Sequence, residues 1–202
     1  MGRESSFGRA IMRRKLKILP LTPDLWLALE DLFGRAGACN GCWCLYWRVG
    51  SEYHKRPRER NRAAFKRIVE RGPPPGLIAF DGELAVGWCQ LTARDDLRWL
   101  QRARFFERVD DEAAWSISCF FVRRGYRNQG VMSALIAAAV KEATREKVRV
   151  LEAYPVDTDR PDSTRNVFTG TKSAFERCGF RTVGGRVVSR PIMRRELGSR
   201  RG

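Results

Sequence analysis

The stretch Cys119-Phe-Phe-Val-Arg-Arg-Gly-Tyr-Arg-Asn-Gln-Gly-Val-Met-Ser-Ala-Leu135 decides the fold. Its first part belongs to a run, Trp115–Val122, that is nearly continuous in apolar and small residues. Such a run predicts a strand buried on both faces. A helix is expected over Asn128–Arg145, and its stretch Ala134–Val140 is apolar all round, as deep burial against a sheet requires. A further apolar run, Val148–Tyr154, predicts the next strand. Strand, helix and strand make a crossover unit, which favours parallel pairing. Where the first strand turns into the helix, the leading amides lack intrahelical partners, and the helix dipole adds positive potential. Arg127, Asn128, Gln129, Gly130, Val131 and Met132 would wrap an anion there. Gly130 has no Cβ to hold that anion off. An ordinary strand–turn–helix connection with surface arginines accounts for the same residues.

Upstream, Lys15–Leu19 alternates weakly and opens a sheet. Thr22-Pro23-Asp24 caps a helix carrying Leu25, Trp26, Leu29, Leu32 and Phe33 at helical spacing. A second helix, strongly basic, is expected over Arg58–Arg71, stopped by Gly72-Pro73-Pro74-Pro75. Asp81-Gly82 between Leu77–Phe80 and Leu84–Leu91 predicts a hairpin. Leu97–Phe106 is expected to be helical. Downstream, a loop over Pro155–Thr164 precedes an expected helix over Phe168–Cys178. A closing hairpin is expected around Gly184-Gly185. The fold class is therefore α/β (α+β mixed): a mostly antiparallel central sheet, helices on both faces and one parallel strand pair.

The chain has 202 residues, 43% of them hydrophobic, which is enough for one full core. No apolar run approaches the ~18–20 residues of a membrane span. Met1–Lys17 is basic without an apolar core, so no secretory leader and a cytoplasmic location are expected. The net charge of +16 points first to an anionic partner. Its placement weakens that. Net charges of +5 over residues 1–17, +6 over 55–71 and +4 over 190–202 leave about one for the rest. Basic tails are expected over 1–14 and 196–202, around a single domain at 15–195. No recognition-helix or aromatic–basic RNA pattern occurs, which makes a nucleic-acid module the weaker alternative.

Six cysteines are expected to be reduced thiols. Cys89, Cys119 and Cys178 sit in apolar contexts. Cys39, Cys42 and Cys44, with His54, have the residue types of a zinc site. The spacing matches no standard module, so no metal is expected, and packing or acceptor-site lining ranks above metal or redox roles.

The turn resembles the GNAT superfamily of N-acetyltransferases, whose signature there is R/Q-x-x-G-x-G/A. Here it is Arg127-Asn-Gln-Gly130-Val-Met132, with Met132 where Gly or Ala is usual. Phe175-Glu-Arg-Cys-Gly-Phe180 is similar to the family's Y-E-K-x-G-F. The resemblance implies acetyl-CoA as co-substrate. It implies that Val122 offers backbone bonds to the pantetheine arm, and that Arg127, Asn128, Gln129, Gly130, Val131, Met132 and Ser133 hold the pyrophosphate. It also implies that strands Trp115–Val122 and Val148–Tyr154 splay apart around the thioester.

The implied reaction is direct transfer of an acetyl group to an amine, for which a base and an acid are useful. Glu112 is the first candidate base, ahead of Asp110, Asp111 and Glu83. Phe175 stands where the family's usual tyrosine acid would be, leaving Tyr154 as the candidate acid. The acceptor side is expected near 38–54 and 92–112, where Trp43, Tyr46, Trp47, Tyr53 and Trp99 accompany Asp95 and Asp96. Aromatic faces with carboxylates suit a cationic amine. The partner is an amine-bearing small molecule or peptide, with no membrane, nucleic acid disfavoured, and a homodimer left open. A catalytically weak acyl-CoA-binding or sensor domain is the other alternative.

Overall fold

The computed structural model describes residues 15–38, 41–163 and 166–198. Seven strands form one sheet: β1 (Lys17–Pro20), β2 (Gly76–Asp81), β3 (Leu84–Ala93), β4 (Ala114–Val122), β5 (Val150–Ala153), β6 (Arg181–Val187) and β7 (Arg190–Glu196). Their spatial order is β1-β2-β3-β4-β5-β7-β6. Only β4 and β5 run parallel. The helices are α1 (Trp26–Phe33), α2 (Tyr46–Val49), α3 (Arg58–Arg71), α4 (Arg98–Arg102), α5 (Val131–Arg145) and α6 (Lys172–Glu176).

Strand periodicity sorts the core onto two faces. Leu77, Ala79 and Cys89 point to one face, where Leu135, Ile136 and Ala139 of α5 cover them. Ile78 and Trp88, their neighbours in sequence, point to the other. There they meet Leu29 and Phe33 of α1 and Phe65 and Val69 of α3. Helix α5 thus makes the crossover between β4 and β5 on one side, and α1 with α3 closes the other. No helix among the described residues is long and apolar enough to cross a membrane.

Several boundaries differ from the expected ones. Helix α5 begins at Val131, because Asn128 (φ 60°) and Gly130 (φ 80°) take left-handed backbone. Helix α6 begins at Lys172 and spans only five residues. Gly170, at φ 88°, breaks the expected run, and its carbonyl bonds the Val156 amide instead. Helix α4 stops at Arg102 and gives way to a 3₁₀ turn over Arg104–Phe106. The closing hairpin turns at Val188-Ser189, between β6 and β7. Gly184 and Gly185 lie inside β6, where the register slips. A glycine pair in an edge strand here marks a bulge and not a turn.

Beneath β4 and β5 lies a buried polar network. Glu152 of β5 is fully enclosed and accepts from Arg94 Nε at 2.8 Å and Arg194 Nε at 2.7 Å. Tyr154 Oη donates to the same carboxylate at 2.5 Å and lies 3.0 Å from Ser116 Oγ. Two guanidiniums and a phenol satisfy one carboxylate in low dielectric, as a buried charge demands.

Candidate active site

Strand β4 ends at Val122, and the chain then makes a 3₁₀ turn over Arg124–Tyr126 before α5. The first amide of α5 with a backbone acceptor is Ala134, bonded to Gly130 O at 3.0 Å. The amides of Asn128 through Ser133 precede it and have no backbone acceptor among the described residues. They line one concave turn. Gln129 Nε2 braces it by donating to Gly125 O at 2.7 Å, and Arg127 Nε donates to Val122 O at 3.2 Å. Gly130 faces open space. Met132 turns its side chain against the core beneath α5. These features fit a pyrophosphate: unpaired donors, a dipole end, exposed arginines and room for close approach.

Gly87 seats this turn on the sheet. A Cβ there would lie 2.6 Å from Val131 Cγ1, so glycine is what lets the start of α5 press against β3. Tyr126 Oη donates to Asp81 Oδ2 at 3.1 Å and ties the turn to the β2–β3 hairpin. Gly87 does not stand out in the sequence, and Asp81 stands out there only as part of a hairpin turn. Each matters through a partner far along the chain.

The parallel pair β4–β5 stays together only through Ile117 and Ala153. One residue on, β4 bulges. Gln90 pairs with Cys119 and Leu91 with Ile117, leaving Ser118 as the extra residue. A bulge adds local twist, and here it coincides with the point where the two strands part. In the opening, Phe120 N–H donates to Phe168 O at 2.6 Å, so the loop ahead of α6 leans on β4. Two residues further along an unbroken ladder, Val122 directs its N–H to the same side.

A cavity of about 230 Å³ borders this opening. Cys42, Cys44, Tyr46, Trp47 and Tyr53 form one wall, from the segment between α1 and α3. Ala38, Gln90 of β3, Cys119 of β4, Asn166 and Phe168 complete its lining. Trp47 is locked by its indole N–H, which donates to Ser118 O at 2.9 Å. Tyr46 and Phe168 meet edge to face at 6.0 Å. Cys44 Sγ accepts from Trp88 Nε1 at 3.0 Å and lies 3.6 Å from Cys119 Sγ. Trp43 and Cys44 both hold positive φ, at 47° and 54°. Left-handed backbone at two adjacent non-glycine residues costs energy and marks a segment held in place by its surroundings.

A family model described as "Acetyltransferase (GNAT) family" matches residues 40–180. The chain belongs to the GNAT family. Solved GNAT structures share its fold at low identity. PaiA N-acetyltransferase of Thermoplasma acidophilum, solved with coenzyme A, is 14% identical over 90% of this chain and 99% of its own, with a TM-score of 0.51. YncA of Salmonella typhimurium, a putative acetyltransferase solved with acetyl-CoA, is 12% identical over 93% and 96%, with a TM-score of 0.54. A GCN5-related N-acetyltransferase from Kribbella flavida is 18% identical over 90% and 98%, with a TM-score of 0.53. Among curated protein sequences, none matches the chain.

Within this GNAT scaffold the turn residues, Val122 and the cavity gather at one end of β4. Glu112 is not among them. It precedes β4 at the opposite end, roughly 30 Å of strand away from Val122, and pairs with Arg149 at 2.7 Å. Asp110 lies beside it, bonded to Arg194 at 2.7 Å, which holds its carboxyl below the usual range. Asp111 is exposed on the same loop, and Glu83 is exposed in the β2–β3 turn. Tyr154 is fully buried next to the opening, but its proton is committed to Glu152. Burial and then the Glu152 charge push its phenol upward, away from a useful acid. Phe175 is core, edge to face with Phe120 and Phe180.

The aromatic residues divide. Tyr46, Trp47 and Tyr53 line the cavity, as expected. Trp43 is core, stacked on Trp26 at 5.8 Å, and Trp99 covers Gly50. The carboxylates meant to accompany them are elsewhere. Asp95 pairs with Arg108, and Asp96 Oδ2 accepts from Thr92 at 3.0 Å. The charged groups near the cavity are instead arginines. Arg190, at the start of β7, lies 5.7 Å from the Phe106 ring centroid, and that ring packs against Trp47 of the cavity wall. Arg48 of α2 donates to Asp96 O at 3.3 Å. Burial lowers both guanidiniums from their ordinary value.

Of the cysteine cluster, Cys39 lies outside the described residues. Cys42 and Cys44 line the cavity and, like Cys89, Cys119 and Cys178, form no disulfide. Among the described residues no three His, Cys, Asp or Glu side chains are grouped to hold a metal ion.

Proposed function

We propose that the chain is an acetyl-CoA-dependent N-acetyltransferase that transfers an acetyl group directly to an amine seated in the cavity beside the β4–β5 opening. The observation that carries this reading is the amide-lined turn Asn128–Ser133, which lies at the same end of β4 as that opening. When bound, acetyl-CoA supplies an acyl group already activated as a thioester. Arg127 through Ser133 receive the pyrophosphate on backbone donors. Val122 N–H is directed toward the pantetheine arm. Trp47, Tyr46 and Phe168 exclude water from the reacting centre.

The amine must attack as the free base. The cavity helps without a carboxylate. Its apolar walls disfavour an ammonium ion, and nearby arginines repel one, so both lower the amine pKa on entry. Glu112 and Tyr154 take no part in this reading, the first by position and the second by its hydrogen bonds. The departing thiolate is a fair leaving group; the attacking nitrogen sheds one proton to solvent as the amide forms, and solvent returns one to the thiolate. Cys44 at the cavity forms no disulfide, which favours a reducing compartment, and a cytoplasmic location is part of the proposal.

Calorimetric titration with acetyl-CoA tests it, followed by thiol release with a panel of amines. Saturable binding and turnover are expected. Gly130→Val should weaken binding by about tenfold or more, because a side chain at a left-handed position both strains the turn and fills the approach to it. Absence of binding at high-micromolar acetyl-CoA would overturn the reading. Binding with no turnover of any amine would favour a sensor domain.

A further inference from the structure

We infer that the acceptor carries a carboxylate as well as the amine, and that Arg190 at the mouth of the cavity is the residue that receives it. The inference rests on the acetyltransferase reading above and names the acceptor class for that site.

The cavity walls themselves are neutral. Their side-chain polar groups are the amides Gln90 and Asn166, two tyrosine hydroxyls and thiols. Arg190 follows the β6–β7 turn and lies over Phe106, whose ring packs against Trp47 of the cavity wall. The adjoining Ser189 O accepts from the Asp157 amide, so this turn is anchored to the loop whose later residues line the cavity. Arg190 Nε is buried and has no hydrogen-bond partner. No carboxylate lies within ion-pair distance of it among the described residues. Arg48, behind Cys44, repeats the pattern with a buried, unpartnered Nε, and Asp96 acts on it only from beyond ion-pair distance.

The contrast with the rest of the molecule gives this weight. The two most buried arginines, Arg94 and Arg194, both have Glu152 as counter-ion. Where the fold itself needs an enclosed guanidinium, it supplies the acid. A half-buried cation without one is a standing cost that an anionic ligand removes. Arginine is also the side chain best shaped for a carboxylate, through two parallel N–H bonds. The aromatic wall would then hold the apolar part of the acceptor, and the arginine its acid group.

The test uses matched pairs that differ only in the carboxylate: phenylalanine with phenethylamine, leucine with isopentylamine, and 6-aminohexanoate with hexylamine. Steady-state acetylation is measured for each with saturating acetyl-CoA. In at least one pair the acid-bearing member should have the higher kcat/KM by about 10–100-fold, the range of a charge-assisted hydrogen bond. Arg190→Gln should abolish that difference through KM, and Arg190→Lys should restore part of it. Unchanged acetyl-CoA affinity in both variants reports an intact fold. Equal rates within every pair would overturn the proposal, as would a preference that survives Arg190→Gln. So would failure to acetylate any of the six while acetyl-CoA still binds. Failure of wild-type protein to bind acetyl-CoA would instead overturn the acetyltransferase reading.

Discussion

Glu152 is the residue on which the buried charges depend. Its carboxylate answers two guanidiniums and a phenol in a space closed to water. Glu152→Leu would leave Arg94 and Arg194 enclosed and repelling each other. Loss of about 3–5 kcal/mol is expected, read as a lower urea midpoint at unchanged slope. Cys89 makes a second test. It is fully buried, and burial pushes its thiol up to about 12. An unfolded chain releases that proton near ~8.5. The folded state therefore binds more protons between those two values. The contribution is complete below ~8.5 and declines as pH rises. The stability margin of wild type over Cys89→Ala should narrow by about 1.4 kcal/mol per pH unit above pH 9. A margin independent of pH would show that this thiol ionises freely. Residues of local chemistry were legible in the sequence: Arg127 to Gly130 announce a turn by themselves. Arg190 was not. In the sequence it is one more arginine in a basic closing segment of the domain, and only folding sets it over Phe106.

At the scale of elements, the decisive contact is the start of α5 against β3. Gly87→Val would drive a branched side chain into Val131 and Leu135. A destabilisation of about 1–3 kcal/mol is expected from overpacking. The same change should weaken acetyl-CoA binding more than an equally destabilising core change such as Val69→Ala, since it shifts the turn itself. Equal effects of the two would detach Gly87 from the site. Helix α3 matched its expected bounds residue for residue, whereas α5 starts three residues late and β5 is confined to Val150–Ala153. Two that failed had glycine in a role the local sequence leaves ambiguous. Gly170 reads as a tolerated helix residue, yet its left-handed backbone ends the loop and delays α6. Gly184-Gly185 reads as a turn, yet it bulges a strand. The opening between β4 and β5 needs the Ser118 bulge, which depends on pairing across three strands and leaves no local mark.

Across the whole molecule, the large positive charge resolves into separate parts. Helix α3 carries much of it on a solvated face, and the described end of the chain carries more. Two of its arginines do specific work: Arg194 in the network around Glu152, and Arg190 at the cavity. The proposed acceptor thereby gains an acid group beside its amine, because Asp95 and Asp96 are paired within the protein and arginines stand near the cavity.

The slipped register of β6 has a bearing beyond the hairpin it belongs to. This strand is the outer rim of the sheet, and a straight rim would offer its unpaired amides to any other extended chain. Here the register against β7 slips twice, between Thr182 and Gly184 and again between Gly184 and Val187, with Arg181 just before the irregular part and Arg186 within it. A kinked, charged rim cannot template a neighbour. The opposite rim, β1, is only four residues long. Among the described residues, the sheet thus discourages strand-by-strand addition at both rims.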